Sequence, residues 1–159
     1  MDKPLSVFTE KYPRIQNKII NSIVIINPKT NNAIPAKAQW DTGATGTCIS
    51  KEIAMKLNLL PIAMQQIHTP SGIGKVKQYK VHIVLNNELI IQNVNVMDSE
   101  IGSQRIDVLI GMNIIQLGDF AISNYNGQTQ FSFRIPSQYD VDYKNILDNE
   151  VAISKELQK

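Results

Sequence analysis

The stretch Trp40-Asp41-Thr42-Gly43-Ala44 decides how this 159-residue chain is interpreted. Residues 36–40 predict a short strand that runs directly into the Asp-Thr-Gly triplet. A small hydroxyl can lock such a loop by hydrogen bonding, and a glycine lets a backbone N–H approach the carboxylate closely. The triplet alone is also compatible with a plain turn whose aspartate accepts backbone N–H bonds. Its meaning therefore depends on the rest of the chain.

A second element, Val108-Leu109-Ile110-Gly111-Met112-Asn113, begins 67 positions after the aspartate. The apolar run 107–110 predicts a buried strand that ends at the glycine, and residues 112–117 predict one or two turns of helix. Between the two elements, residues 67–82 predict a hairpin, whose tip carries Pro70-Ser71-Gly72-Ile73-Gly74. Along the chain, a carboxylate loop is therefore followed by a hairpin and then by an apolar strand that ends at a glycine.

In this combination the sequence resembles the retropepsin-like aspartic proteases, the single-domain enzymes of retroviruses, retrotransposons and cells. The resemblance covers about residues 15–137, and residues 110–115 and 118–122 are most similar to the bacterial-type members. It implies a mainly β fold, a closed retropepsin-like β-barrel with a flap hairpin and one or two short helices. To this the chain adds a C-terminal helix, which the spacing of its own apolar residues predicts.

The chemistry of this family needs two carboxylates that share one proton around a water molecule, since like charges so close together cannot both ionise. The chain contains one Asp-Thr-Gly and no Asp-Ser-Gly. The resemblance therefore implies a homodimeric aspartic endopeptidase in which each chain supplies its Asp41. One carboxylate would act as general base on the water while the other polarises the scissile carbonyl. No cofactor and no metal are expected.

The resemblance also gives roles to the neighbours of Asp41. Thr42 would hydrogen-bond across the dimer axis, Gly43 would present its backbone to the carboxylates and the substrate, and Ala44 would keep the adjacent pocket open. The flap would close over an extended polypeptide that binds as an added strand. The residues of the flap tip and of the apolar pair expected to bind substrate are Ser71, Gly72, Ile73, Gly74, Leu109 and Ile110.

Some positions differ from the retroviral members of the family. Thr45 and Met112 stand where those members often carry an Asp and an Arg that form a salt bridge near the dimer interface, so both partners are absent together. Gln39 stands where the family is usually apolar, and it changes the pocket if it faces the cleft. The segment after residue 137 has no counterpart in minimal retropepsins, whose chain ends form the interfacial sheet.

The remaining elements complete the predicted organisation. Residues 15–26 predict a first strand, residues 50–57 a short helix with Ser50 as N-cap, and Asn126-Gly127 the turn of a final hairpin. Three segments result. They are an N-terminal arm (1–14), a retropepsin-like domain (15–137) and a C-terminal amphipathic helical extension (138–159).

Composition excludes several other classes of protein. The net charge of +2 is too balanced to favour nucleic acid as the main partner, and a single cysteine, Cys48, rules out an intrachain disulfide framework. With one cysteine and two histidines, the chain has too few ligands for a four-coordinate Cys/His zinc site. Residues 1–17 are mixed and polar, with no apolar signal region, so the sequence predicts a cytoplasmic protein without a membrane segment.

Two alternatives to a constitutive protease stay open at this stage. The same groove could bind a strand without cutting it, which would make the chain a catalytically silent peptide-binding or dimerisation module. Alternatively, residues 1–14 or the terminal helix could restrain the dimer until the chain is processed.

Overall fold

The computed structural model describes residues 5–69, 72–86, 89–102 and 105–156. In these ranges the chain is mainly β, as the sequence predicts, with ten strands and three α-helices. The strands are β1 (Ser6–Lys11), β2 (Ile19–Ile26), β3 (Ala33–Trp40), β4 (Cys48–Ser50), β5 (Ala63–Thr69), β6 (Gly72–Val84), β7 (Ile90–Ser99), β8 (Val108–Ile110), β9 (Asp119–Ser123) and β10 (Gln130–Ile135). The helices are α1 (Lys51–Lys56), α2 (Met112–Ile115) and α3 (Tyr143–Glu156).

Seven of the described strands form one sheet in the order β2-β3-β8-β4-β7-β6-β5. An additional pairing of β2 with β6 closes six of them into a ring, and β5 pairs with β6 as the outer strand of a hairpin. The pairs β3–β8 and β4–β7 are parallel. Because parallel partners point the same way, the residues that follow β3 and those that follow β8 lie at the same edge of the sheet.

A second sheet, with the order β1-β10-β9, packs against β3 of this ring through aromatic side chains. Its buried side chains Phe8, Phe131 and Phe133 pack around Trp40, the last residue of β3, and the Trp40–Phe133 ring centroids are 4.8 Å apart. The indole Nε1 of Trp40 donates to Asn21 Oδ1 at 2.7 Å. The residue directly before Asp41 is therefore fixed by aromatic packing and by a buried hydrogen bond.

Strand β1 lies in the segment that the sequence assigns to an N-terminal arm. It pairs along its length with β10, from Ser6 opposite Ile135 to Lys11 opposite Gln130, and buries Phe8 in the main core. The strand predicted over residues 15–26 begins at Ile19 and is the second of the chain. The domain boundaries at residues 15 and 137 stay predictions.

The predicted local elements agree with the structure. Ser50 caps α1 by accepting a hydrogen bond from the backbone N–H of Ile53 at 3.3 Å. The final hairpin is formed by β9 and β10. Its connection contains Asn126 and Gly127, both at positive φ, but it is longer than the two-residue turn that Asn-Gly suggested, since Ser123 pairs with Gln130.

The predicted C-terminal helix is present as α3, and every one of its described residues is exposed. Its apolar side chains include Ile146, Leu147 and Ile153, which are about half exposed. None of the helices in the described ranges is both long and apolar enough to span a membrane.

Candidate active site

Asp41 is the first residue after β3, and its backbone is still paired with the sheet. Its N–H donates to the carbonyl of Ile110 at 2.9 Å, which continues the β3–β8 ladder. The chain then turns, because the N–H of Ala44 donates to the Asp41 carbonyl at 3.2 Å and the N–H of Gly43 donates to Asp41 Oδ1 at 2.8 Å. Asp41 is half-buried, whereas Thr42 and Gly43 are exposed. One carboxylate oxygen is thus held by the loop, and the loop itself faces outward.

The glycine of the triplet is required by close approach to this carboxylate. A Cβ added at Gly43 would lie 3.1 Å from Asp41 Oδ1, which is tighter than ordinary contacts. This is the close approach of backbone to carboxylate that the sequence predicts. The turn is also the Asx-type turn considered as the plain alternative, so the local geometry alone does not separate the two interpretations.

The second element closes on the same loop. The N–H of Met112 donates to the Ala44 carbonyl at 2.7 Å, and the N–H of Asn113 donates to the Thr45 carbonyl at 3.1 Å. Gly111 is packed so tightly here that an added Cβ would lie 2.4 Å from the carbonyl oxygen of Gly46. The loop after β3 and the turn after β8 are therefore one interlocked unit.

A buried hydroxyl that sequence reasoning did not single out holds this unit together. The side chain of Thr47 is completely buried, and its Oγ1 donates to Asn113 Oδ1 at 2.7 Å. The same oxygen accepts the N–H of Gly111 at 3.2 Å. In sequence, nothing distinguishes Thr47 from Thr45, which is exposed.

The apolar pair at the end of β8 divides between two environments. Ile110 is completely buried in the core, whereas Leu109 is half-buried on the opposite face. In register, Leu109 stands between Gln39 of β3 and Cys48 of β4, and Cys48 stands beside Met97 of β7. These four half-buried side chains form a row across one face of the sheet, which we call the sheet-face row. Of the predicted pair, only Leu109 has a side chain at this face.

The hairpin predicted between the two elements is formed by β5 and β6, in register from Ala63 opposite Gln78 to Thr69 opposite Gly72. Near its tip, Gly72 has a φ of +126°, which favours glycine, and Ile73 is 68% exposed. Gly74 stands opposite Ile67. Ser71, the remaining predicted residue of the tip, lies outside the described residues. The hairpin's function as a flap stays a prediction.

Asp41 borders a cavity of about 330 Å³. The lining comes from the end of β3, from residues 16–19 before and at the start of β2, and from Phe120 and Ile122 of β9. A larger cavity of about 670 Å³ lies between α1 and the β5–β6 hairpin, where Lys51, Lys75 and Lys77 line it. The larger cavity does not include the Asp41 loop, so the smaller one is the candidate for the reaction site.

Other catalytic chemistries find little support. No group of three or more His, Cys, Asp or Glu side chains that could hold a metal ion occurs in the described ranges. Burial raises the pKa of the Cys48 thiol, and the nearby carboxylate of Asp98 raises it further. A raised pKa leaves the thiol protonated, which disfavours it as a nucleophile. The half-buried carboxylate of Asp41 is therefore the strongest candidate for catalysis.

Asp41 of the Asp-Thr-Gly triplet thus lies on a strand-end turn that is interlocked with the turn after a parallel strand. A family model described as "gag-polyprotein putative aspartyl protease" matches residues 26–117 of the chain. The chain belongs to this family of retropepsin-like aspartic proteases. No curated protein matches it.

The fold is shared with a solved structure. A retropepsin-like aspartic protease from Rickettsia conorii aligns with a TM-score of 0.55 and 16% identity, over 85% of this chain and 98% of that chain. At that identity the likeness shows a common fold, and it confirms the predicted retropepsin-like architecture. A second match is the protease of simian foamy virus (mac), with a TM-score of 0.41 and 22% identity, over 58% of this chain and 89% of that chain. A third is the retroviral protease-like domain of Ddi1 from Leishmania major, with a TM-score of 0.40 and 13% identity, over 69% of this chain and 91% of that chain.

Proposed function

We propose that the chain is one half of a homodimeric aspartic endopeptidase, in which the two Asp41 carboxylates activate a water molecule that hydrolyses a peptide bond. The observation that carries this proposal is the half-buried Asp41 carboxylate on a loop interlocked with residues 111–113. A general base must keep its position while it takes a proton, and this loop restricts movement of the carboxylate.

The reaction requires a second carboxylate, and a second copy of the chain would supply it. Around a two-fold axis each Asp41 is equivalent, so one proton shared between them makes one acid and one base. The exposed side chain of Thr42 forms no hydrogen bond within the described residues. Its hydroxyl is thus free for the bond across the axis that the resemblance implies.

Extended polypeptides are the proposed substrates. The half-buried sheet-face row provides apolar contacts through Leu109 and Met97, and Ala44 next to Asp41 leaves space beside the reaction centre. The hairpin tip with Gly72, Ile73 and Gly74 would cover a bound strand, to which the exposed Ile73 offers an apolar contact. Affinity would come mainly from backbone hydrogen bonds, as in other cases of strand addition.

The first test is the Asp41→Asn variant, with Asp140→Asn as the matched control because Asp140 is an exposed aspartate of the C-terminal segment. Peptide libraries are digested at pH 4 to 8 and the products identified by mass spectrometry. We expect cleavage by the wild type and the control, no cleavage by Asp41→Asn, and unchanged folding of all three. Activity should decline towards alkaline pH, because the dyad must retain one proton. Full activity of Asp41→Asn would refute the assignment.

A mixing experiment tests the shared site directly. Wild type and Asp41→Asn are mixed in equal amounts, unfolded and then refolded together. Random pairing then leaves about half of the wild-type chains in mixed dimers. The activity per wild-type chain should therefore fall to about half, whereas mixing with Asp140→Asn should not lower it. Binding of peptides without any cleavage would instead favour a peptide-binding module.

A further inference from the structure

Gln39 brings a side-chain amide to the cavity that contains Asp41. It precedes Asp41 by two positions at the end of β3, and both residues line the 330 Å³ cavity. Residues two apart on a strand project to the same side. The Oε1 atom of Gln39 is buried and accepts no hydrogen bond from the described residues. It is the only buried side-chain polar atom in the described ranges that lacks a partner.

The two residues that stand beside Gln39 in the strand register are aliphatic. In register, Gln39 stands between Ile20 of β2 and Leu109 of β8, and the rest of the sheet-face row consists of Cys48 and Met97. A buried carbonyl oxygen without a hydrogen-bond donor opposes folding. The Oε1 atom of Gln39 therefore does not stabilise the chain through a hydrogen bond within the described residues.

The charges at the cavity limit what the amide can recognise. Lys18, whose charge is opposite to that of Asp41, also lines the cavity. A cationic ligand group would face Lys18, and an anionic one would face the carboxylates of the dyad. An uncharged group that both donates and accepts hydrogen bonds avoids both conflicts and matches an amide, which has one acceptor oxygen and one donor nitrogen.

We infer that Gln39 is a specificity-determining residue that selects substrates with an uncharged, hydrogen-bonding side chain, Gln or Asn, next to the scissile bond. This inference rests on the proposed function and adds a substrate class to it. The aliphatic stem of such a side chain would contact Leu109, while its terminal amide pairs with that of Gln39. A substrate with an aliphatic side chain of the same size would leave the Gln39 amide unpaired.

The test compares peptides that differ at one residue. Cleavage sites of the wild type are first located in a peptide library, and pairs are then synthesised with Gln against Met, and Asn against Leu, at each position flanking the scissile bond. We expect the wild type to prefer the amide member of one pair by about tenfold or more in kcat/KM, because a site built for hydrogen bonding discriminates against analogues that lack them.

The variant Gln39→Met keeps the length of the side chain and removes the amide. It should abolish or invert the preference, whereas Gln128→Met, at an exposed glutamine of the β9–β10 connection, should leave it unchanged. Gln39→Glu provides a second variant in case Gln39→Met does not fold. Because a carboxylate only accepts hydrogen bonds, Gln39→Glu should lower the amide preference at neutral pH and regain part of it on acidification.

The outcomes separate this inference from the proposed function. If the wild type cleaves no peptide, the protease assignment fails and this inference fails with it. If the wild type cleaves but shows no amide preference, or if the preference is the same in Gln39→Met, the inference alone is overturned. A change in dimer affinity of Gln39→Met, measured by sedimentation, with an unchanged preference would also overturn it and assign the amide to the dimer interface.

Discussion

Replacement of Thr47 by valine removes the hydroxyl that joins the Asp41 loop to the turn after β8. Valine has nearly the same shape as threonine, so packing is largely preserved, while two hydrogen bonds are lost. These are the 2.7 Å bond to Asn113 Oδ1 and the 3.2 Å bond from the N–H of Gly111. We therefore expect Thr47→Val to isolate the contribution of these two bonds.

The expected magnitude follows from the burial of each partner. Gly111 is buried, so its N–H cannot turn to water, and an unsatisfied buried group costs about 1–3 kcal/mol. Asn113 is half-buried, so its side chain can recover part of the loss by contact with solvent. Together the free energy of unfolding should fall by about 2–4 kcal/mol. Thr47→Ser is the matched control, since it keeps the hydroxyl and loses one methyl group at a cost of about 1 kcal/mol.

The assay is urea unfolding, followed by circular dichroism at a fixed protein concentration because the proposed dimerisation would make apparent stability depend on concentration. The difference between the two variants should be about 1–3 kcal/mol, which corresponds to a lower Tm for Thr47→Val by several degrees. A valine variant as stable as the serine variant would show that the buried hydroxyl is not needed to hold the loop.

Three further predictions concern the rest of the fold. Gly118→Ala should destabilise the chain by about 3 kcal/mol or more in urea unfolding, because its Cβ would lie 1.8 Å from the Arg134 carbonyl oxygen; wild-type stability would contradict this contact. Hydrogen bonding from Ser137, and then from Arg134, lowers the pKa of Asp119. The ionised Asp119 therefore stabilises the fold at pH values above the usual pKa range of a carboxyl group, and this stabilisation disappears as the pH falls through the lowered pKa. The free energies of unfolding of the wild type and of Asp119→Asn should consequently converge as the pH falls. A difference between them that grows on acidification would contradict this prediction. Removal of residues 140–159 should change the unfolding free energy by less than about 1 kcal/mol, since no residue of α3 is buried; a larger loss would show that α3 packs on the domain.

The strands and turns that sequence predicts best are those with strong local patterns. The Asp41 turn and Gly111 could be placed because a strand followed by a glycine-containing turn leaves a local signal. The parallel pairing of β3 with β8 leaves no local signal, and the sequence did not predict it. Apolar periodicity likewise predicted α3, although it says nothing about what the apolar face contacts.

Strand β1 shows why a real element can be missed. Its sequence, Ser-Val-Phe-Thr-Glu-Lys, is mostly polar, and Phe8 is its one fully buried residue. A strand that buries one side chain shows little alternation, and its position is fixed instead by backbone pairing with β10. The aromatic contacts of Phe8 with Trp40 and Phe131 are distant in sequence, so only the folded chain reveals them.

The residues of the candidate site also differ in how much the sequence reveals about them. Asp41, Thr42 and Gly43 are visible in sequence because they form a contiguous motif. Thr47 is not, since its importance depends on a buried hydrogen bond to a residue 66 positions away. For Gln39, the sequence shows an unusual polar residue, but the unsatisfied oxygen beside the Asp41 cavity requires the three-dimensional arrangement.

A site shared across a two-fold axis makes particular demands on the rigidity of each half. If the Asp41 loop shifts in one chain, the symmetric shift occurs in the other, so the separation of the two carboxylates can change by up to twice the displacement. Since misplacement of reacting groups by about 1 Å can reduce a rate about a hundredfold, a proposed dimeric enzyme needs each loop held firmly by its own chain. The bonds of Thr47 provide this, while Asp41 and Thr42 remain at the surface. We therefore expect Thr47→Val, under conditions where it is fully folded and dimeric, to lower kcat far more than it raises KM for peptides.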